Sequence, residues 1–261
     1  MNSYTKEQSH LHEKYNLASK LPSILEQIEL QVKEIITFNP ENMLSVGIGY
    51  GDEIKLLIKK LETTTSLVKL KSIQWIDIHA EAGKNLKGFS SFVKIEKVEE
   101  INSLLNIANE DEWDCIQCSF VLHDIKYEDK KEAFSVLYKA LKPNGKIIIS
   151  EMFLDNELKS DQIEDLKRKK EVDDLYDSFC DELQTIDDID NNEKEVFSNE
   201  LLKIKEDARN GKRDFFMNRK NTEKLLQKSG FTDVAFIENK VYIENNKKKC
   251  YLGIITARKC G

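Results

Sequence analysis

Short apolar runs that alternate with amphipathic stretches constrain this chain more than any other feature. Between residues 42 and 153, five runs typical of β-strands are separated by four stretches with helical periodicity. Strands joined through helices pair in parallel, and right-handed crossovers place the helices on both faces of the sheet. The chain then ends in a helix and two strands joined by a polar turn at Asn245-Asn246, which indicates an antiparallel hairpin. The sequence predicts a doubly wound α/β sheet.

Two segments flank or interrupt this pattern. Residues 21–38 repeat apolar positions at spacings of three and four, and residues 5–19 look helical, so residues 1–39 are predicted to form an N-terminal helical cover. Residues 154–213 read as almost wholly helical and hold 19 acidic against 11 basic residues. This acidic insertion is expected to be a lid or a dimer element. We predict a single domain, 1–261, whose α/β core comprises residues 40–153 and 214–261.

Composition excludes several classes of function. A net charge of −7 and a pI near 5.4 disfavour nucleic-acid binding as the main activity. No apolar run reaches the ~18 residues of a membrane span, and the N-terminus is too polar for a secretory signal, so we expect a cytoplasmic protein that does not bind membranes. Cys115 and Cys118 lie on opposite faces of one predicted strand, which predicts core thiols and no metal site.

A glycine-rich stretch, NMLSVGIGYGDE, follows the first predicted strand. Glycine permits a sharp turn and a close approach of backbone to ligand, and the next helix begins with free N–H groups. The third glycine comes one residue earlier than in the dinucleotide motif G-x-G-x-x-G, and Asp52 and Glu53 would repel a pyrophosphate. A positively charged ligand without phosphate fits better. Asp77, after the second strand, is predicted to accept ribose hydroxyls. Glu99, after the third, is either an adenine contact or an ordinary helix-dipole partner.

Several motifs in this order resemble the class I S-adenosylmethionine-dependent methyltransferases. They are VGIGYG, Asp77, DEWDCIQCSFVLHDI, LYKALKPNGKIIISEMF and NRKNTEKLLQKSGFTDVAF. The resemblance covers residues 40–153 and 214–261. It implies a Rossmann-like sheet with strand order 3-2-1-4-5-7-6 and S-adenosylmethionine as cofactor. The cofactor contacts predicted on this basis are Tyr15, Ser45, Gly47, Ile48, Gly49, Gly51, Asp77, Ile78, Glu99, Ser119 and Phe120.

Ser45 departs from the family pattern. The family commonly has an acidic residue at this place, which helps to hold the amino group of the cofactor, whereas Ser45 can only hydrogen-bond. Another acceptor, a backbone carbonyl or a residue of the N-terminal helices, is then expected to hold that group. Three features resemble the histamine N-methyltransferase group, namely the serine, the stretch EDEWDCIQCSFVL and the N-terminal cover. This resemblance implies that Tyr15 of the cover reaches the methyl region of the cofactor.

His123, just past the fourth strand, is the candidate general base, because its ordinary pKa suits proton transfer near neutrality. The alternative is a structural histidine hydrogen-bonded to a backbone carbonyl. The predicted substrate contacts are His123, Asp124, Phe216 and Met217, although ordinary core packing is the preferred explanation of the last two. A hydroxyl acceptor benefits from a base, whereas an amine needs only to be neutral.

These observations favour an S-adenosylmethionine-dependent methyltransferase that acts on an amine or a hydroxyl of a small molecule. The alternatives are a methyltransferase of protein or RNA, a non-catalytic binding or assembly protein that keeps the fold, and an NAD dehydrogenase. The acidic insertion could attract a cationic amine, be a solvated surface or join two copies in a homodimer.

Overall fold

The computed structural model describes residues 20–49, 51–63, 69–77, 82–83, 86, 88–91, 93–98, 107, 110–154, 162–212, 214–244 and 247–261. Its helices are α1 (Pro22–Phe38), α2 (Asp52–Thr63), α3 (Tyr127–Ala140), α4 (Gln162–Gln184), α5 (Asn191–Arg209) and α6 (Arg219–Lys228). Its strands are β1 (Asn42–Val46), β2 (Ser72–Ile76), β3 (Lys94–Lys97), β4 (Trp113–Ser119), β5 (Leu141–Leu154), β6 (Met217–Asn218), β7 (Phe231–Glu244) and β8 (Lys247–Lys259).

These strands form one eight-stranded sheet in the order β3-β2-β1-β4-β5-β8-β7, and β6 pairs with β5. The sheet is parallel from β3 to β5, and β8 is antiparallel to both β5 and β7. The predicted α/β fold and its terminal hairpin are confirmed. The order differs from 3-2-1-4-5-7-6 only in numbering, because the two-residue β6 was not predicted. Pro143, Asn144 and Gly145 are residues typical of turns, yet they lie within β5, where the pairing with β4 is irregular.

Helix α1 has the bounds that its sequence predicts. Pro22 occupies its first turn, where a missing N–H costs nothing, and Asn39 ends it in the left-handed region at φ 55°. Its buried face carries Ile28 and Val32, as the apolar spacing requires, but also two buried glutamines, Gln27 and Gln31. These amides place polar groups against the sheet at the point where the candidate site lies.

The sheet separates two hydrophobic clusters, one on each face. Residues of β4 alternate between them, so that Cys115 lies in one cluster and Cys118 in the other. Both cysteines are fully buried, and burial raises the pKa of the Cys115 thiol to about 12 and that of Cys118 further still. The prediction that these two residues are core thiols on opposite faces is confirmed.

The acidic insertion contributes two packed helices, α4 and α5. Arg168 donates to the carbonyl oxygens of Ala208 and Arg209 at 3.0 and 2.9 Å, which ties the two helices together. Helix α4 also contacts the N-terminal cover, since the Ser23 hydroxyl donates to Glu182 Oε2 at 2.7 Å. The insertion thus packs on the face of the sheet that α1 covers. Its role as a lid or dimer element stays a prediction.

Two sequence predictions lie outside the described residues, namely the helix at 5–19 and most of the helix that begins at Glu99. Within the described part of the chain, none of the helices combines the length and the apolarity that crossing a bilayer requires.

Candidate functional site

The glycine loop leaves the carboxyl end of β1 through left-handed backbone at three positions, with φ 73° at Gly47, 51° at Gly49 and 78° at Gly51. A Cβ at Gly47 would lie 2.6 Å from the Cβ of Val121, so glycine is required there for the contact between β1 and the segment after β4. A Cβ at Gly49 would meet none of the described residues within 4 Å. Gly47 is therefore needed for packing, while the face of Gly49 is open for a ligand to approach.

Asp77 lies beside this loop, directly after β2. Its Oδ2 accepts the N–H of Gly49 at 2.9 Å, which joins the ends of β1 and β2. Gly83 closes the other side, because its N–H donates to the carbonyl of Gly49 at 2.9 Å. Ile48 is buried within the loop. The predicted cofactor residues Tyr15, Ile78 and Glu99 lie outside the described residues.

A polar group lies below the loop, between α1, α2 and β4, and we call it the Glu53 cluster: Gln31, Ser45, Glu53, Gln117 and Ser119. Glu53 is in the first turn of α2 and accepts hydrogen bonds from the Ser119 hydroxyl and from Gln117 Nε2. The Ser119 hydroxyl is also 3.2 Å from Gln31 Oε1, and Gln31 Nε2 reaches the carbonyl of Cys118 at 3.4 Å. Helices on one face of the sheet thus contact the carboxyl end of β4.

The Glu53 cluster holds a poorly compensated carboxyl group and unused acceptors. Burial raises the pKa of Glu53 to about 7; the Asp52 charge acts in the same direction, and the hydrogen bonds from Ser119 and Gln117 oppose it. Ser45 Oγ and Gln117 Oε1 are buried and have no hydrogen-bond partner among the described residues. Ser45 and Gln117 are neighbours in register on β1 and β4. Buried polar atoms are normally paired, so this arrangement is typical of a place where a ligand supplies the donor.

A second polar group lies at the same edge of the sheet, and we call it the Glu151 cluster: His123, Lys130, Glu151, Tyr176 and Asp214. His123 Nδ1 is 2.8 Å from Glu151 Oε2, and Nε2 is 3.6 Å from Asp214 Oδ1. Glu151 Oε1 also accepts the backbone N–H groups of Leu122, at 2.6 Å, and of His123. His123 is only 7% exposed, and Glu151 and Asp214 are each 1% exposed.

The Glu151 cluster joins the insertion to the core. The Tyr176 hydroxyl, on α4, donates to Asp214 Oδ2 at 2.7 Å. The Phe215 N–H donates to the His123 carbonyl at 2.6 Å, and Lys130 Nζ donates to the Leu122 carbonyl. The short helical turn at 122–124 is thereby fixed on three sides.

Electrostatics gives His123 a different protonation state from the one that the sequence suggests. Burial lowers the pKa of His123, but the carboxylates of Glu151, Asp124 and Asp214 outweigh it and raise the pKa to about 9. Burial alone would raise the pKa of Glu151, yet the charges of His123 and Lys130 lower it. At neutral pH the ring is an imidazolium between carboxylates. This geometry argues against the general-base role predicted for His123 and favours a positioning role.

The other predicted substrate residues differ in their access to solvent. The side chain of Asp124 is 43% exposed and lies 4.0 Å from His123 Nε2. Phe216 is fully buried with its ring 6.0 Å from that of His123, and Met217 is buried in β6, where it pairs with Phe153. Their burial favours the core-packing interpretation, and contact of either with an acceptor stays a prediction.

Phe120 follows β4 at the crevice between β1 and β4. It has φ 47°, a left-handed conformation that is uncommon for a residue with a side chain, and its N–H donates to the Ser150 carbonyl at 2.9 Å. Backbone of this kind persists where the surroundings hold it and concentrates at functional sites. Together with Ser119, it lies where the sequence places the sulfonium side of the cofactor.

A metal is one further possibility at this edge. The ligand atoms of His123, Asp124 and Asp214 lie within 4.8 Å of one another. A cation there would have to displace the proton on Nε2 of His123, which Asp214 and Asp124 already stabilise. The arrangement fits a protonated histidine better than a metal centre.

Sequence reasoning missed two residues that the structure makes central. Glu53 entered only as a charge that repels pyrophosphate, and Glu151 was not singled out. Signals for both exist in the sequence. Glu151 is a charge inside the apolar run IIISEMF, and Gln27, Gln31 and Gln117 interrupt stripes that are otherwise apolar.

Comparison with solved structures finds methyltransferases. The N-methyltransferase NodS from Bradyrhizobium japonicum WM9, in complex with S-adenosyl-L-homocysteine, matches with a TM-score of 0.57 and 12% identity, over 96% of this chain and 97% of that one. The Burkholderia thailandensis 1,6-didemethyltoxoflavin-N1-methyltransferase, with its acceptor and S-adenosylhomocysteine bound, has a TM-score of 0.52 and 11% identity, over 100% and 92%. Phosphoethanolamine N-methyltransferase 2 of Haemonchus contortus, in complex with S-adenosyl-L-methionine, has a TM-score of 0.53 and 12% identity, over 89% of this chain and 53% of that one.

A comparison with curated protein sequences gives no match. At 11 to 12% identity the structural neighbours establish the shared fold. A sequence model of the methyltransferase domain matches residues 14–235, which is most of the chain. The chain therefore belongs to the methyltransferase domain family.

Proposed function

We propose that this protein transfers the methyl group of S-adenosylmethionine to the nitrogen of a small-molecule amine. The observation that carries the choice of nitrogen is the state of His123. Its ring is charged, and both ring nitrogens face carboxylates, of Glu151 and Asp214. An imidazolium in that position accepts no proton from a hydroxyl, whereas a neutral amine is nucleophilic without such help.

The described residues fit the cofactor on three grounds. The open face of Gly49 admits a ligand, and Asp77 presents a carboxylate at the end of β2, where ribose hydroxyls bind in folds of this kind. Ser119 and Phe120 line the crevice between β1 and β4 on the side assigned to the sulfonium. When bound, S-adenosylmethionine supplies an electrophilic methyl group on a sulfonium centre. The protein contributes orientation of the acceptor and exclusion of water.

The exposed carboxylate of Asp124 gives the acceptor side a negative charge. It extends from the turn that Glu151 and Lys130 fix in place, next to the buried imidazolium. The insertion, with its excess of acids, adds a negative field around the same edge. An amine that approaches as an ammonium ion is attracted by these charges and loses its proton to water before it reacts.

The neighbouring structures support nitrogen as the acceptor atom, since all three named above are N-methyltransferases and two are named for small-molecule acceptors. The resemblance to the histamine N-methyltransferase group points the same way and stays a prediction. A net charge of −7 disfavours RNA as the acceptor. Location in the cytoplasm and assembly into a homodimer also stay predictions.

Two assays test this proposal. Calorimetric titration with S-adenosylhomocysteine is expected to give micromolar or tighter binding, and transfer of labelled methyl from S-adenosylmethionine is expected for amines in a mixed panel of amines and phenols. Absence of binding at high micromolar ligand would contradict the methyltransferase proposal. Turnover of phenols alone would contradict the choice of nitrogen. Binding without turnover of any small molecule would favour a non-catalytic protein or a macromolecular substrate.

Asp124→Asn tests the acceptor side. Loss of one exposed charge near a cationic amine is expected to raise KM for that amine about threefold to tenfold, with kcat little changed, because such interactions are worth about 1 kcal/mol. Glu128→Gln is the matched control, since it removes an acid from the first turn of α3 and should leave KM within about twofold. Equal effects of the two variants would show that general charge, and not the position of Asp124, attracts the amine.

A further inference from the structure

The Glu53 cluster lies where the glycine loop turns into α2. Glu53 comes two residues after Gly51, and its carboxyl group reaches back to Ser119 and Gln117 at the carboxyl end of β4. Ser45 pairs with Gln117 across β1 and β4, two residues before Gly47. The cluster therefore lies directly beneath the glycine loop.

The negative charge of Glu53 is not balanced by a nearby cation among the described residues. Both side chains that donate to Glu53 are uncharged, and the charged residue that acts on it most among the described residues is another acid, Asp52. Asp52 itself pairs with Lys55 at 3.1 Å. A carboxylate in this setting gains more from an added cation than from any further neutral donor.

The hydrogen-bond acceptors of the cluster also indicate that a cationic donor is missing. Within the part of the chain that the structure describes, Ser45 Oγ and Gln117 Oε1 have no hydrogen-bond partner, and both residues are 0% exposed. A buried polar atom without a hydrogen-bond partner is energetically costly. A primary ammonium group has three donors and one positive charge. The carboxylate of Glu53 supplies the opposite charge. Together with Ser45 Oγ and Gln117 Oε1 it makes three groups that can accept the three N–H donors.

We propose that the Glu53 cluster is an ammonium-binding pocket that takes the α-ammonium group at the amino-acid end of S-adenosylmethionine. This inference rests on the proposed function, because it assumes the same cofactor. Glu53, on α2, supplies the negative charge that Ser45, on β1, lacks, and Ser45 and Gln117 complete the set of acceptors. The sulfonium end of the ligand then lies toward Phe120, and the acceptor side toward Asp124.

The test compares S-adenosylhomocysteine with its deaminated analogue, in which hydrogen replaces the α-ammonium group, by calorimetry at pH 7.5. Wild-type protein is expected to bind the parent compound about 10- to 100-fold more tightly than the analogue, as a charge-assisted contact implies. Glu53→Gln keeps the shape of the side chain and is expected to lose most of that factor for the parent compound. The same variant should bind the two ligands with nearly equal affinity.

Two further variants make the result specific. Asp52→Asn removes the same charge one residue away and should leave the preference for the ammonium group within about twofold. Ser45→Ala removes an orphaned hydroxyl, is expected to fold, and should reduce affinity for the parent compound about threefold without changing affinity for the analogue. Circular dichroism establishes that each variant is folded before it is titrated.

The outcomes separate the two proposals. If Glu53→Gln retains the wild-type preference for the ammonium group, or if wild type has no such preference, the ammonium pocket is wrong while the cofactor stands. If wild type binds neither compound, the proposed function itself fails. Should Glu53→Gln not fold, the Ser45→Ala variant decides, and an unchanged affinity for both ligands would overturn the inference.

Discussion

Two carboxyl groups at the same edge of the sheet, Glu151 buried and Glu53 partly exposed, have opposite surroundings. Glu151 lies on β5 beside a histidine, a lysine and backbone donors, and its pKa is lowered. Glu53 lies on the opposite face with neutral donors only, and its pKa is raised to about 7. Among the residues that the structure describes, Glu151 has cationic partners and Glu53 has none. An acid whose cation comes from the protein itself contributes to stability, whereas an acid with neutral donors alone is the better candidate for binding a cationic ligand.

The largest expected effect is on stability, at Glu151. Glu151→Ala leaves the His123 imidazolium and Lys130 buried without their main partner, so the free energy of unfolding is expected to fall by about 3–5 kcal/mol. Denaturant unfolding monitored by circular dichroism measures it. Glu41→Gln is the control, because Glu41 pairs with Lys71 at 2.8 Å on the surface and should have little effect. A loss below about 1 kcal/mol for Glu151→Ala would show that this cluster does not hold the fold together.

Two glycines of the loop before Glu53 are expected to affect different properties, Gly47 mainly the stability of the fold and Gly49 mainly the affinity for the ligand. Gly47→Ala places a Cβ against Val121 in left-handed backbone, and should lower the free energy of unfolding by at least about 2 kcal/mol. Gly49→Ala carries only the backbone cost of about 1–2 kcal/mol, because the space is open. Gly49→Ala is the milder of the two changes for stability, but it is nevertheless expected to weaken binding of S-adenosylhomocysteine, because the added Cβ occupies the open face that the ligand approaches. Unaltered affinity in Gly49→Ala would place the ligand elsewhere.

The pH dependence of stability tests the charge on His123. The pKa of His123 is raised from 6.5 to about 9 in the folded protein, so its contribution is fully present below pH 6.5 and is lost as the pH rises through 9. Lys130, whose pKa burial lowers to about 8, acts in the opposite direction. The difference in unfolding free energy between wild type and His123→Gln is therefore expected to shrink between pH 7 and 10. A constant difference would mean that His123 is neutral and a base after all.

The smallest effect is a proton released on binding. Glu53 is about half protonated at pH 7, and an ammonium group beside it lowers its pKa, so binding of S-adenosylhomocysteine should release about half a proton at pH 7. Calorimetry in two buffers with different ionisation enthalpies measures this number. Glu53→Gln should release none. Equal release by both proteins would assign the proton to another group.

The sequence alone predicts the sheet, its terminal hairpin and the glycine loop, because alternation of apolar runs and glycine spacing are local patterns. It also places Asp77 beside the loop, where the structure shows it bonded to Gly49. The state of His123 could not be predicted, because only one of the three carboxylates that charge it, Asp124, is its neighbour in sequence. The others are Glu151 on β5 and Asp214 just after the insertion. Both are distant in sequence and close only in the fold.

Glu53 could not be singled out from the sequence either, because its partners are also distant along the chain. Read along the chain, Glu53 is an ordinary acid in the first turn of a helix, which favours such residues. Only the packing of α2 against β4 shows that its partners are Gln117 and Ser119 and that Ser45 has none among the described residues. The serine at position 45 raises the question of what holds the ammonium group of the cofactor, and Glu53 on α2 is the answer proposed.

A crystal structure of the protein with S-adenosylhomocysteine bound at pH 7.5 would show directly which residues hold the ammonium group. The α-ammonium nitrogen of the ligand is expected within hydrogen-bond distance of the Glu53 carboxylate, with Ser45 and Gln117 as neighbouring acceptors, while His123 stays between Glu151 and Asp214. An ammonium group held by backbone carbonyls alone, with Glu53 still bonded only to Ser119 and Gln117, would contradict this expectation.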